Sequence, residues 1–141
     1  MVMNAQEFYV NNAGLGQGGK FMVGVTVNVK KKLPSSAEDL VMRYAVEGVM
    51  FNGLMAAQGY REQKPIITDP DVKLTKADFF DAFNREGAYK RFATIVPSSL
   101  TSMKNKKTKT IETTATVIVD QESLRHYLEE SGIIKGFSNL W

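Results

Sequence analysis

The sequence predicts an α+β domain, with an antiparallel or mixed β-sheet of about five strands carrying three helices mainly on one face as a two-layer sandwich. Three observations predict it. Phe21, Val23, Val25, Val27 and Val29 alternate with Met22, Gly24, Thr26 and Asn28, the period of a strand buried on one side. Between Ser36 and Gln58 the apolar residues change to helical spacing around most of the circumference, as expected of a buried helix. Gly59, Gly87 and Gly132 each follow a helical stretch, where a left-handed stop is favoured. The expected order is β-β-α-β-α-β-β-α, with no repeat or linker, so residues 1–141 read as one domain.

Taken in order, Glu7 to Val10 reads as a short strand, joined to the Phe21–Val29 strand by a glycine-rich turn from Ala13 to Gly19. Pro34 and the serines open the long helix, with Ser36 and Asp39 spaced as a capping box. Asp39, Arg43 and Glu47 share its polar stripe. Leu40, Val41, Tyr44, Val46, Val49, Met50, Phe51, Leu54 and Met55 fill the remainder, making 40–57 the expected spine of the domain. Thr75 with Asp78 fits a second capping box, with Leu74 and Phe79 as its hydrophobic staple, and Asp120 fits the cap of a third helix with Val119 and Leu124 as staple. The helices are therefore expected near 36–58, 75–86 and 120–131. Lys64 to Thr68, Phe92 to Val96 and Thr108 to Val119 supply the other strands. Ile111, Thr113, Ala115, Val117 and Val119 share one face of the last, and residues 104–107 form an exposed turn before it.

Composition is that of a globular chain: 43% hydrophobic, 23% charged, net charge +3 over 141 residues. No cysteine occurs, which excludes disulfides, thiolate zinc sites and iron–sulfur clusters. No run of eighteen apolar residues exists, so no transmembrane segment is expected. Met1 to Ala5 is too short for a signal peptide; it reads as a disordered start or as the remnant of one, with Ala5 at the cleavage point. Export to a periplasm or cell envelope follows only from the second reading, and the compartment stays open.

Motifs that resemble chemistry fail on their surroundings. Gly14-Leu15-Gly16-Gln17-Gly18-Gly19-Lys20 has the spacing of a dinucleotide or phosphate loop. Those loops need a helix N-terminus next, whereas here a strand follows and Phe21 replaces the hydroxyl that would hold magnesium. His126, the lone histidine, sits on a helix beside Arg125 and Glu129 and reads as a surface residue. Asp69 and Asp71 flank Pro70 without the ligand spacing of a calcium loop and read as a capped turn. Ser98, Ser99, Thr101 and Ser102 have no assignable base. Phe79, Phe80 and Phe83 make a helical stripe that belongs to the core. No catalytic residue, metal or cofactor is assigned.

Three readings of function remain. The first is a non-enzymatic binding or protein-interaction domain, engaging an unknown partner or itself. The apolar end Phe137, Leu140 and Trp141 would dock on its own domain or serve as a partner contact. The second is a small-ligand protein or enzyme with a pocket near Tyr44, Asn52, Tyr60, Arg61 and Glu62, Asn52 being expected inside. The third is binding of nucleic acid or another polyanion through Lys30, Lys31 and Lys32 together with Lys104, Lys106, Lys107 and Lys109. Nucleic acid is the less expected of these ligands, since no aromatic residue interleaves with the lysines as stacking on a single strand would require.

Overall fold

In the computed structural model, residues 7–30, 37–57 and 59–134 are described. Five strands form one antiparallel sheet: β1 (Glu7–Leu15), β2 (Phe21–Lys30), β3 (Ala93–Ile95), β4 (Thr101–Asn105) and β5 (Thr110–Val119). The spatial order is β1-β2-β5, and β3 and β4 then share the far side of β5. β3 pairs with its C-terminal end (Ala93 opposite Val119) and β4 with its N-terminal end (Asn105 opposite Thr110).

The period-two pattern sets which face is buried. Val23, Val25 and Val27 of β2, with Val117 and Val119 of β5, are wholly buried, and the register places Val23 opposite Val117 and Val25 opposite Ala115. Helix α1 (Ala37–Glu47) covers this face with Leu40, Val41, Tyr44, Ala45 and Val46. The spine expected over 40–57 is buried only through Met50 and Leu54, with Met55 exposed. Its last turn widens over Gly48–Asn52, where the Gly53 N–H reaches back five residues to the Gly48 carbonyl at 2.8 Å. Gly53 has φ 71°, and a Cβ there would stand 2.5 Å from the Gln63 carbonyl oxygen, so glycine is required.

The helix therefore ends six residues before the expected stop. Gly59 lies in a tight hairpin whose arms bridge Leu54 to Gln63 and Ala57 to Tyr60. Lys64 to Thr68 is likewise not a strand. Its N–H groups close the helix end, Ile66 donating to Val49 O and Ile67 to Met50 O, which supplies partners to carbonyls the helix leaves open.

Two short helices follow, α2 (Val72–Thr75) and α3 (Ala77–Arg85), and Thr75 ends α2 instead of capping α3. The staple fails with it, since Leu74 is exposed. Gly87, φ 75°, stands at the expected stop after α3. Helix α4 (Gln121–Glu130) begins where Asp120 accepts the Ser123 N–H. It ends in a Schellman motif, with Ile133 N–H donating to Leu128 O at 2.9 Å past Gly132. Phe79, Phe80 and Phe83 of α3 join Phe92 and Tyr127 in an aromatic cluster with centroids 5.0–6.3 Å apart, Phe51 at its margin. No helix among the described residues is long and apolar enough to cross a membrane. Met1 to Ala5, Ser36, and the Phe137, Leu140 and Trp141 contacts lie outside the described residues.

Candidate functional site

The glycine-rich motif closes the β1–β2 hairpin, where Gly16 N–H donates to Lys20 O at 2.7 Å. An antiparallel strand follows it, so its amides face no helix dipole. His126 is exposed on α4 with Nε2 2.7 Å from Glu130 Oε1. Asp69 Oδ1 accepts the Asp71 N–H, the geometry of a capped turn. Ser99 acts on the backbone: its hydroxyl donates to Val96 O at 2.6 Å and accepts from Thr116 N–H at 2.8 Å.

Residues expected to line one pocket separate into three environments. Tyr44 is buried in the core, its ring stacked on Phe8 of β1 at 4.1 Å with planes 4° apart. Burial pushes its phenol above the ordinary value, the nearby Arg43 pulls it down less, and Glu47 adds to the rise. Asn52 is exposed, against expectation, because the widened last turn rotates it off the packed side of the helix. Tyr60 and Arg61, exposed on the return arm of the 54–63 hairpin, do meet. With Asn12, Gly14, Leu15, Gly59 and Gln63 they line a cleft of about 230 Å³; Glu62 is exposed beside it.

Asn12, only 7% exposed, was not legible in the sequence as a site residue. Its Nδ2 donates to Arg61 O at 2.7 Å while its Oδ1 accepts Gly14 N–H at 2.9 Å, so one side chain ties β1 to the hairpin. Gly14, φ 106°, lets the Tyr60 ring lie where a Cβ would be 2.9 Å from it. Both polar ends of Asn12 are spent on backbone, which makes the cleft a structural joint.

Two surfaces are more open. Among the described residues no strand pairs with the outer edge of β1, along which Tyr9 is 63% and Leu15 59% exposed. At one end of the sheet, the register brings the backbone of Lys30 beside β4 and the turn that follows it. Lys30 at the end of β2 lies opposite Thr110, and Thr110 is also opposite Asn105 of β4. Lys104 occupies β4, and Lys106, Lys107 and Lys109 the turn beyond it, all exposed. Lys31 and Lys32 lie outside the described residues.

Comparison with protein-family models, with curated proteins and with solved structures finds no match to this chain.

Proposed function

We propose that the protein is a non-enzymatic binding domain that engages a protein chain, another copy or a partner, by strand addition along the free edge of β1. The observation supporting this is the contrast between a nine-residue edge strand with no partner strand among the described residues and the usual protection of such edges. Natural sheets shield exposed edges with charge, proline, bulges or short strands, because an unpaired row of N–H and C=O groups is a template for pairing. Between the charge of Glu7 and the register shift after Asn12, residues 8–12 contain no lysine, no proline and no bulge, and the exposed Tyr9 offers apolar contact beside the main-chain donors and acceptors.

The test combines sedimentation velocity over a wide concentration range with hydrogen exchange, first on the protein alone and then with any captured partner. Binding at this edge protects the amides of 7–15 selectively. Tyr9→Lys, at an exposed site, abolishes the association while leaving the melting temperature nearly unchanged. A protein that stays monomeric and partnerless while turning over a substrate overturns the reading. So does association that leaves β1 exchange unaltered.

A further inference from the structure

We propose that the lysine-bearing end of the sheet, formed by the β4–β5 turn and the end of β2, binds the phosphodiester backbone of a nucleic-acid duplex. This goes beyond the strand-addition reading and does not depend on it, because the residues involved lie outside the β1 edge.

Register supplies the first argument. Lys30 and Asn105 are far apart in sequence, yet their backbones flank the same residue, Thr110, from opposite sides. With strands about 4.8 Å apart, the three strand ends span about 10 Å, a width over which more than one phosphate can be met. Lys104 lies opposite Ile111, one pair further in and so on the other face of the sheet, which leaves the turn lysines Lys106, Lys107 and Lys109 beyond the strand end as the centre of the site.

Charge is the second. Residues 100–111 hold four lysines and no acidic residue. Lys104, Lys106, Lys107 and Lys109 enter none of the ion pairs among the described residues, whereas Lys20 is paired with Asp120 and Lys90 with Asp39. Glu112 of β5, opposite Asn28 and Met103, is the one acidic residue close by in the register; four like charges outweigh it and repel one another, and a polyanion removes that repulsion.

The turn itself is built and strained. Asn105 Oδ1 accepts from both Lys107 N–H and Thr108 N–H, and the Thr108 and Thr110 hydroxyls are 2.6 Å apart. Lys109 has φ 57° and is the one non-glycine residue with positive φ among the described residues. Glycine or asparagine would sit there at less cost. A lysine kept in a conformation that disfavours it points to a use for its charge.

What the site lacks selects the ligand. No aromatic residue lies between 98 and 112, so the bases of a single strand would have nothing to stack on. The turn offers no apolar side chain to enter a bilayer, Met103 standing back on β4. Ammonium groups and hydroxyls remain, suited to the closely spaced phosphates of a duplex.

The experiment measures fluorescence anisotropy of a labelled mixed-sequence duplex across a salt series. Binding weakens with salt, with a log–log slope of about −3 to −4 for four lysine–phosphate contacts. Replacing Lys104, Lys106, Lys107 and Lys109 together by Gln lowers affinity at least about tenfold and flattens the slope. The control, Lys64, Lys73, Lys76 and Arg85 all to Gln, carries the same net charge and retains most of the binding. Circular dichroism checks that both variants fold. Lys109→Gly separates the roles further: it raises the melting temperature by relieving the turn and weakens duplex binding. Absence of duplex binding at low salt, equal loss in the control variant, or equal affinity for single strands or anionic phosphatidylserine vesicles each overturns the proposal.

Discussion

Along β1 the ladder to β2 runs from Glu7 to Asn12, shifts register, and resumes at Leu15. On the other side of the sheet β3 and β4 both follow β5 but leave it between Val96 and Leu100, where Pro97–Ser99 makes a short helical turn. Each edge therefore has a break in its main-chain pairing, and at each a single polar side chain supplies the missing partner. Asn12 does so for the 54–63 hairpin on the β1 side. Ser99 does so for Val96 and Thr116 on the other. The two differ in burial, Asn12 being enclosed and Ser99 half-buried. The same kind of bond should therefore matter more at one edge than at the other, since the cost of an unmade bond depends on whether water can replace it.

The largest effect falls on Asn12. Asn12→Ala leaves Gly14 N–H without its partner in an enclosed place and Arg61 O in a half-enclosed one, and should lower unfolding stability by about 1–3 kcal/mol. Urea unfolding measures this as a shift of midpoint at constant slope. Asn12→Asp keeps the acceptor for Gly14 but turns a carboxylate oxygen towards the Arg61 carbonyl, so its deficit should shrink in acid as the carboxyl gains a proton to donate. A wild-type midpoint for Asn12→Ala would mean that the hairpin docks on β1 by shape alone.

Ser99→Ala should cost less, about 0.5–1.5 kcal/mol, because solvent reaches the break and hydrates Val96 O and Thr116 N–H. Ser99→Thr retains the hydroxyl and should recover most of that loss. If Ser99→Ala proves as damaging as Asn12→Ala, burial is not what distinguishes the edges.

Much of this architecture is legible in the sequence wherever the determining contacts are local. The alternation from Val23 to Val29 reports its buried face directly, and Asp120 and Gly132 mark both ends of α4 because cap and stop are made within a few residues. Legibility fails where partners come from afar. Leu54 to Ala57 continue the helical spacing of α1, but Gln63 and Tyr60 draw them into a hairpin, and only the fold reveals that Gly53 is the stop. Thr75 has the spacing of a cap, yet it completes α2. All five residues of β4 are exposed, so no alternation announces that strand. The place of Asn12 and the approach of Lys30 to the end of β4 are products of register, which no single segment carries.

The smallest effect concerns two buried tyrosines, one beside each edge. Tyr44 holds Phe8 of β1 in a stack, and Tyr89 lies just before β3, near Asp39 and Lys90. Burial raises both phenols above their ordinary value of 10.0; Asp39 adds to the rise at Tyr89 while Lys90 and Arg43 oppose it. The folded chain thus holds these protons more tightly than the unfolded chain does. Stability from the neutral phenols is complete below about pH 10 and is lost as pH rises through their folded-state values. Tyr44→Phe keeps a ring against Phe8 without an ionisable group, so its urea midpoint should fall less than wild type as pH rises above about 10, and Tyr89→Phe should behave likewise. Hydrogen exchange at high pH then reports which edge yields first. Early loss of protection in β1 that Tyr44→Phe prevents would tie that edge to the α1 clamp. An alkaline limb unchanged in both variants would assign it to other groups and leave the edges equal in this respect.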